Sequence, residues 1–228
     1  MKACLLVCDH VLEHLVPAHG AYPEMFGKLL PDLEIDSYFV CDGLFPEVKD
    51  FDIFICSGSK FSVYDPYDWI FSLSDLIADI EAFDKKMVGV CFGHQMIAHA
   101  LGGKVQKAKT GWNIGVHDFQ ITELKDWMEP FAETYKVNML CQDQVVKLPK
   151  GSEVMAKSDD CPVGMCQLGN NFMGIQGHPE FSKSYNRTIY NSRKDKIDPQ
   201  KIALANSRLQ EEIDNELIGN WMMNFLAY

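Results

Sequence analysis

Met87-Val88-Gly89-Val90-Cys91-Phe92-Gly93-His94-Gln95 opens as a short apolar run and closes on helix-forming residues, so it reads as a buried strand bending sharply into a helix. Met87–Val90 is the strand, and Gly93–Leu101 is the helix, stopped by Gly102-Gly103. Gly89 and Gly93 stand two residues either side of Cys91, the spacing of a tight elbow that presents one side chain above the edge of a sheet. At such a position a helix N-terminus favours a thiolate, and its free N–H groups can hold a developing oxyanion. The plain alternative is a buried thiol, as in Phe54-Ile55-Cys56.

Outward from the elbow, short apolar runs keep alternating with amphipathic stretches. Strands are predicted at Lys2–Cys8, Ile35–Val40 and Asp52–Cys56, and helices at Pro23–Leu30 and Asp68–Phe83. Strands that are apolar throughout are buried on both faces, and crossovers containing helices join parallel neighbours. The expected fold class is therefore α/β: three layers, with a mostly parallel open sheet flanked by helices. Ile114–Thr122 and Lys136–Leu140 read as an antiparallel excursion from it. Glu153–Lys157, Val163–Leu168 and Phe172–Ile175 read as three more strands, the last two joined by the turn Gly169-Asn170-Asn171. After Pro179 the chain becomes helical, and Ile202–Phe225 carries an apolar stripe with a break expected near Gly219. No repeat or linker divides the chain, so one domain over 1–228 is expected, with a helical tail from about 182 to 228.

The composition fits an ordinary globular protein: 47% of the 228 residues are apolar and 23% charged, which argues against disorder and disulfide-built miniproteins. With 21 Lys and Arg against 32 Asp and Glu the net charge is −11, and such a surface repels a phosphate backbone, so no nucleic-acid partner is expected. No run approaches the ~18 apolar residues of a membrane span, and the N-terminal apolar stretch ends at Asp9-His10, short of a signal sequence. Several of the eight cysteines sit in apolar runs, as buried thiols do in a reducing compartment. A cytoplasmic protein is expected, without membrane attachment.

A thiol nucleophile needs a base. Gly177-His178-Pro179-Glu180 follows directly on the apolar run Phe172–Ile175. In a parallel sheet the C-terminal ends of strands gather along one edge, which can bring His178 to Cys91. Pro179 fixes the backbone between His178 and Glu180, and Glu180 can orient the imidazole as third member of a triad.

These two motifs together resemble the nucleophile and His-x-Glu motifs of class I glutamine amidotransferases, nearest to the glutaminase domain of GMP synthase and its free-standing relatives, which include γ-glutamyl peptidases. The likeness covers nearly the whole chain, because opening strand, loop after the third strand, elbow and His-Pro-Glu come in the family's order. It implies a flavodoxin-like sheet and hydrolysis of a γ-glutamyl amide through a thioester on Cys91, with His178 as base and Glu180 holding it. It further implies an oxyanion site from the backbone of Phe92 and of Gly58 or Ser59. Gln95 matches a position that binds the substrate glutamyl group, and Gln142, Asp143 and Gly115 sit where relatives complete that pocket. The chain departs from the GMP synthase pattern at Gly58-Ser59-Lys60, where Gly-Gly-Pro is usual, and at Cys141-Gln142-Asp143, where His-Gly-Asp is usual.

The implied partners are a small γ-glutamyl substrate, glutamine or a γ-glutamyl peptide, and an ammonia-accepting synthetase subunit if ammonia is used. Two other readings stay open: a γ-glutamyl peptidase acting on glutathione or its conjugates, and a catalytically silent binding or regulatory protein with the same fold. An α/β-hydrolase is disfavoured, since its acid precedes its histidine. No P-loop or Gly-x-Gly-x-x-Gly is present, and no cofactor is expected. His10 and His14 have zinc-like spacing without a partner set, so no metal is expected either. His94 is expected to pack in the elbow. The aromatic-rich Phe61–Phe71 reads equally as a lid or as ordinary helix entry.

Overall fold

Alternation along Ala3-Cys4-Leu5-Leu6-Val7-Cys8 sends Ala3, Leu5 and Val7 to one face of a sheet and Cys4, Leu6 and Cys8 to the other, and all six are fully buried. A strand apolar on both sides must be covered on both sides, which makes three layers. The computed structural model describes residues 1–228. Its strands are β1 (Lys2–Leu6), β2 (Glu34–Tyr38), β3 (Ile53–Cys56), β4 (Lys86–Val90), β5 (Lys104–Lys107), β6 (Asn113–Ile121), β7 (Thr134–Cys141), β8 (Asp143–Lys147), β9 (Ser152–Lys157), β10 (Met165–Leu168) and β11 (Phe172–Ile175). Its helices are α1 (Val16–His19), α2 (Tyr22–Leu29), α3 (Asp68–Ala82), α4 (Phe92–Ala100), α5 (Lys183–Ser192), α6 (Pro199–Arg208) and α7 (Asn215–Ala227).

Nine strands form one sheet in the order β2-β1-β3-β4-β11-β10-β9-β6-β7, parallel from β2 to β11 and antiparallel beyond. The expected three-layer, mostly parallel α/β arrangement is thus present, and the antiparallel excursion extends the same sheet. Helices α3 and α4 cover one face through Leu73, Ile77, Met96 and Ile97. Helices α2, α5, α6 and α7 cover the other through Phe26, Tyr190, Ile202 and Trp221. No helix is long and apolar enough to cross a membrane.

Three readings are corrected. The pair β5–β8 was not expected, because Lys104–Lys107 buries only Val105 and gives no apolar run to read. The strand expected over Lys2–Cys8 ends at Leu6, and Val7 and Cys8 continue as buried loop. The tail breaks between Arg208 and Asn215, not at Gly219. There Asp214 is bound to β7 through its N–H on Lys136 O (2.8 Å) and its carboxylate on Lys136 N–H (2.6 Å). Gly219 lies inside α7 because α2 crosses so closely that a side chain would meet Leu29 O at 2.9 Å.

The registers set the site. Cys56 pairs with Gly89 across β3–β4, and Ile175 pairs with Val90 across β4–β11. The segments that follow these three strands, beginning Ser57, Cys91 and Gln176, therefore leave the sheet side by side.

Two glycine substitutions separate steric need from mere tolerance. A Cβ on Gly93 would lie 2.3 Å from Cys56 O, so Gly93→Ala is expected to lower stability by about 3 kcal/mol. Gly27, exposed in α2, has nothing within 4 Å, and Gly27→Ala should raise stability by about 1 kcal/mol, or roughly 2–4 °C in thermal unfolding.

Candidate active site

Cys91 adopts φ 52° and ψ −101°, outside the regions comfortable for a residue with a side chain. Three backbone bonds hold it there: Cys91 N–H to Ile175 O (2.8 Å), Gln95 N–H to Cys91 O (3.0 Å) and Gly93 N–H to Ser57 O (3.1 Å). The flanking glycines are steric necessities. A Cβ on Gly89 would sit 2.4 Å from the Gly93 carbonyl carbon, and one on Gly93 would strike β3.

His178 comes from the end of β11. Its N–H donates to Asn138 O (2.8 Å), and its ring lies flat on Phe181, with centroids 4.2 Å apart and planes 3° apart. Nδ1 bonds Glu180 Oε1 at 2.8 Å, which leaves Nε2 for Cys91. A point 2.8 Å from His178 Cε1 and 3.7 Å from Cys91 Cβ is where Gly58 would carry a side chain. Thiol, imidazole and the loop after β3 therefore converge, and only glycine fits between them.

Charge follows from this packing. Burial opposes a cationic His178, but the Cys91 thiolate and the Glu180 carboxylate outweigh it and push the imidazole up to about 10. His178 thus holds its proton strongly, with Glu180 on Nδ1. Burial pushes His94 the other way, down to about 3. His94 stays neutral, with Nδ1 3.5 Å from Cys166 Sγ, and has no part in proton transfer.

Phe92 N–H, at the first position of α4, has no acceptor within the helix. In the facing loop, Ser57 Oγ donates to Gly58 O (3.0 Å). Because the peptide is planar and trans, this turns the Ser59 N–H to the opposite edge. Ser59 Oγ donates to Cys8 O (2.8 Å), pinning the loop to β1's extension. The loop after β3 and the start of α4 thus both lie beside Cys91.

A glutamine amidotransferase class I family model matches residues 48–194, well over half of the chain, and takes in Cys91, His178, Glu180 and the loop after β3. The chain belongs to the class I glutamine amidotransferase family. It is 38% identical to γ-glutamyl peptidase 4 of Arabidopsis thaliana over 80% of this chain and 76% of that one. It is 28% identical to a subunit of the glutamine-hydrolysing GMP synthase of Sulfolobus acidocaldarius, over 71% of this chain and 85% of that one. The crystal structure of a glutamine amidotransferase from Thermotoga maritima shares the fold, with TM-score 0.76 at 17% identity, covering 100% of this chain and 96% of that one.

In this amidotransferase-family chain the elbow opens on a cleft of about 840 Å³. Gln95, Gln142 and Asp143 all line it beside Cys91 and His178. Gln95 Nε2 donates to Asp143 O (2.7 Å) and Gln176 Oε1 (3.1 Å). The Asp143 carboxylate is occupied by the hydroxyls of Ser62 and Tyr64, so it anchors the Ser62–Tyr64 segment against the cleft wall.

Gly115 is a correction: it does not line the cleft. Its N–H donates to Tyr190 Oη (3.1 Å), and its φ of +91° and the closeness of Ala205 fit it beneath α6. Of Trp112–Gly115 only Trp112 reaches the cleft. His10 and His14 do not pair. His10 Nε2 sits 3.0 Å from Asp42 and its ring stacks on Phe39.

Three cleft groups went unforeseen in the sequence. Phe181 stacks on the imidazole, and Asp9 receives both the Lys60 N–H (3.0 Å) and Nζ (2.7 Å), fastening the loop after β3 to the segment after β1. The third is the inner face of α5. Asp9 and Lys60 are 51 positions apart, and no local spacing announces them.

The raised His178 gives a signed expectation. Removing the Glu180 charge, in Glu180→Gln, weakens the hold of His178 on its proton and loosens the ring that serves Cys91. Alkylation of Cys91 by iodoacetamide should slow by about tenfold at pH 7, one pKa unit's worth. Peptide mapping of the labelled site measures it.

Proposed function

We propose that this chain hydrolyses the side-chain amide of a small γ-glutamyl compound through a γ-glutamyl thioester on Cys91. The observation that carries this is the convergence of strained Cys91, the His178–Glu180 pair and the Gly58 loop on one cleft. Cys91 Sγ attacks the γ-carbonyl carbon, whose oxygen takes up the electron pair and is met by the N–H groups of Phe92 and of Gly58 or Ser59. His178 passes its Nε2 proton to the nitrogen as the C–N bond breaks and the amine leaves. Neutral His178 then takes a proton from water, the water oxygen forms the new bond to carbon, and the C–S bond breaks to return the thiolate and release glutamate. Glu180 holds the ring throughout. Gln95 and Gln142 are positioned to bind the glutamyl group, and Asp143 to shape the wall against which it lies.

A γ-glutamyl peptide is favoured over glutamine by the 840 Å³ cleft, which lies in the range of pockets for drug-sized ligands. Likeness to a γ-glutamyl peptidase supports the same choice. On the glutamine reading the likeness to a GMP synthase subunit would call for an ammonia-accepting synthetase partner, whereas a peptidase needs none. Eight free thiols, seven of them buried, fit a reducing, cytoplasmic setting.

Purified protein should release glutamate from γ-glutamyl peptides faster than from glutamine. Cys91→Ala should cut either rate at least about a thousandfold. Undiminished turnover in Cys91→Ala, or indiscriminate labelling of all the thiols by a glutamine-like chloroketone, would exclude the mechanism and favour a silent binding protein.

A further inference from the structure

We propose that the end of the cleft lined by Arg193, Lys196, Lys107 and Trp112 is a carboxylate-binding subsite for the leaving group of a γ-glutamyl peptide. The inference deepens the amidase reading and rests on it.

The position follows from α5. This helix starts just past His-Pro-Glu; Tyr185, Ile189 and Arg193 line the cleft at spacings of four that keep them on one face, and Phe181, just before the helix, lines it too. Phe181 lies against the imidazole, whereas Arg193 caps the other end of the helix, about 15 Å away at 1.5 Å per residue. Ammonia expelled from glutamine could never meet Arg193. A leaving dipeptide extends about 7 Å and ends in a carboxylate, and the arginine side chain reaches toward it over the remaining distance.

The chemistry follows from what is left unpaired. In a chain of net charge −11, Arg193, Lys196 and Lys107 form no ion pair with any carboxylate. Among the acidic residues of the same cleft, Asp9 is taken by Lys60, Asp143 by Ser62 and Tyr64, and Asp65 by the Ser62 N–H, which leaves exposed Asp195 alone. Arg193 is also held in place. Its guanidinium carbon lies 5.4 Å from the centre of the Trp112 ring, and the Trp112 segment is tied down by Lys201 Nζ on Thr110 O (2.9 Å) and Trp112 O (3.3 Å). A stacked guanidinium with its N–H edge free is suited to bidentate binding of a carboxylate.

The test compares S-methylated γ-Glu-Cys-Gly with the same tripeptide ending in a C-terminal amide. It uses kcat/KM in the wild-type protein, Arg193→Gln, Arg193→Lys and Lys196→Gln, and calorimetric affinity for both tripeptides in Cys91→Ala with and without Arg193→Gln. The wild-type protein should prefer the free acid by about tenfold or more, the equivalent of one charge-assisted hydrogen bond, chiefly through KM. Arg193→Gln should bring the ratio near one, Arg193→Lys should keep part of it, and added salt should reduce it.

A ratio near one in the wild type, or one unchanged in both Arg193→Gln and Lys196→Gln, would overturn the subsite. Glutamine turnover without discrimination between the tripeptides would refute the subsite and leave the amidase reading standing. Failure on every γ-glutamyl compound, with Cys91 unlabelled, would refute the amidase reading itself, and the calorimetric comparison would still decide the subsite.

Discussion

At φ 52° and ψ −101° Cys91 carries a backbone cost of about 1–3 kcal/mol, and the surrounding strands leave it no other conformation. Its N–H is bound to β11 and its carbonyl to α4, while Gly93 lies against the end of β3 too closely for any side chain. The strain is spread over three neighbouring strands whose registers are fixed by burial on both faces. Sliding any one of them by a residue would turn its buried set to the wrong side. The elbow, the loop after β3 and the His178 segment are thus consequences of one parallel pairing, β3-β4-β11.

The second constraint is electrostatic. His178 and Glu180 are almost wholly buried, and a buried charge without a partner is costly. Here the imidazole lies between the Glu180 carboxylate and the Cys91 sulfur, and both favour its protonated form. The same arrangement explains why His94, equally buried but next to no anion, remains neutral. Burial lowers both histidines, and only His178 has neighbours that push it back up.

How far the sequence could be read tracks how local each signal is. The elbow and the His-Pro-Glu were legible because both are short motifs at strand ends, where residue type is dictated by sterics and chemistry within a few positions. The parallel half of the sheet was legible for a related reason, since strands buried on both faces are apolar without interruption. What eluded the sequence depends on partners distant along the chain. Gly115 lies under α6 because Tyr190 and Ala205 happen to meet it there. Asp143 faces the cleft yet spends its carboxylate on Ser62 and Tyr64, which only the folded loop supplies. The break before Asn215 is set by Asp214 on β7, whereas Gly219, the obvious breaker by composition, serves a helix crossing.

The pairing of Cys91 with His178 is most directly tested by nitrogen NMR of the His178 ring at neutral pH. With Cys91 intact both ring nitrogens should carry protons, and in Cys91→Ala the ring should lose that charge at a markedly lower pH. A neutral His178 in the intact protein, or a titration indifferent to Cys91, would contradict the placement of these two side chains as a working pair.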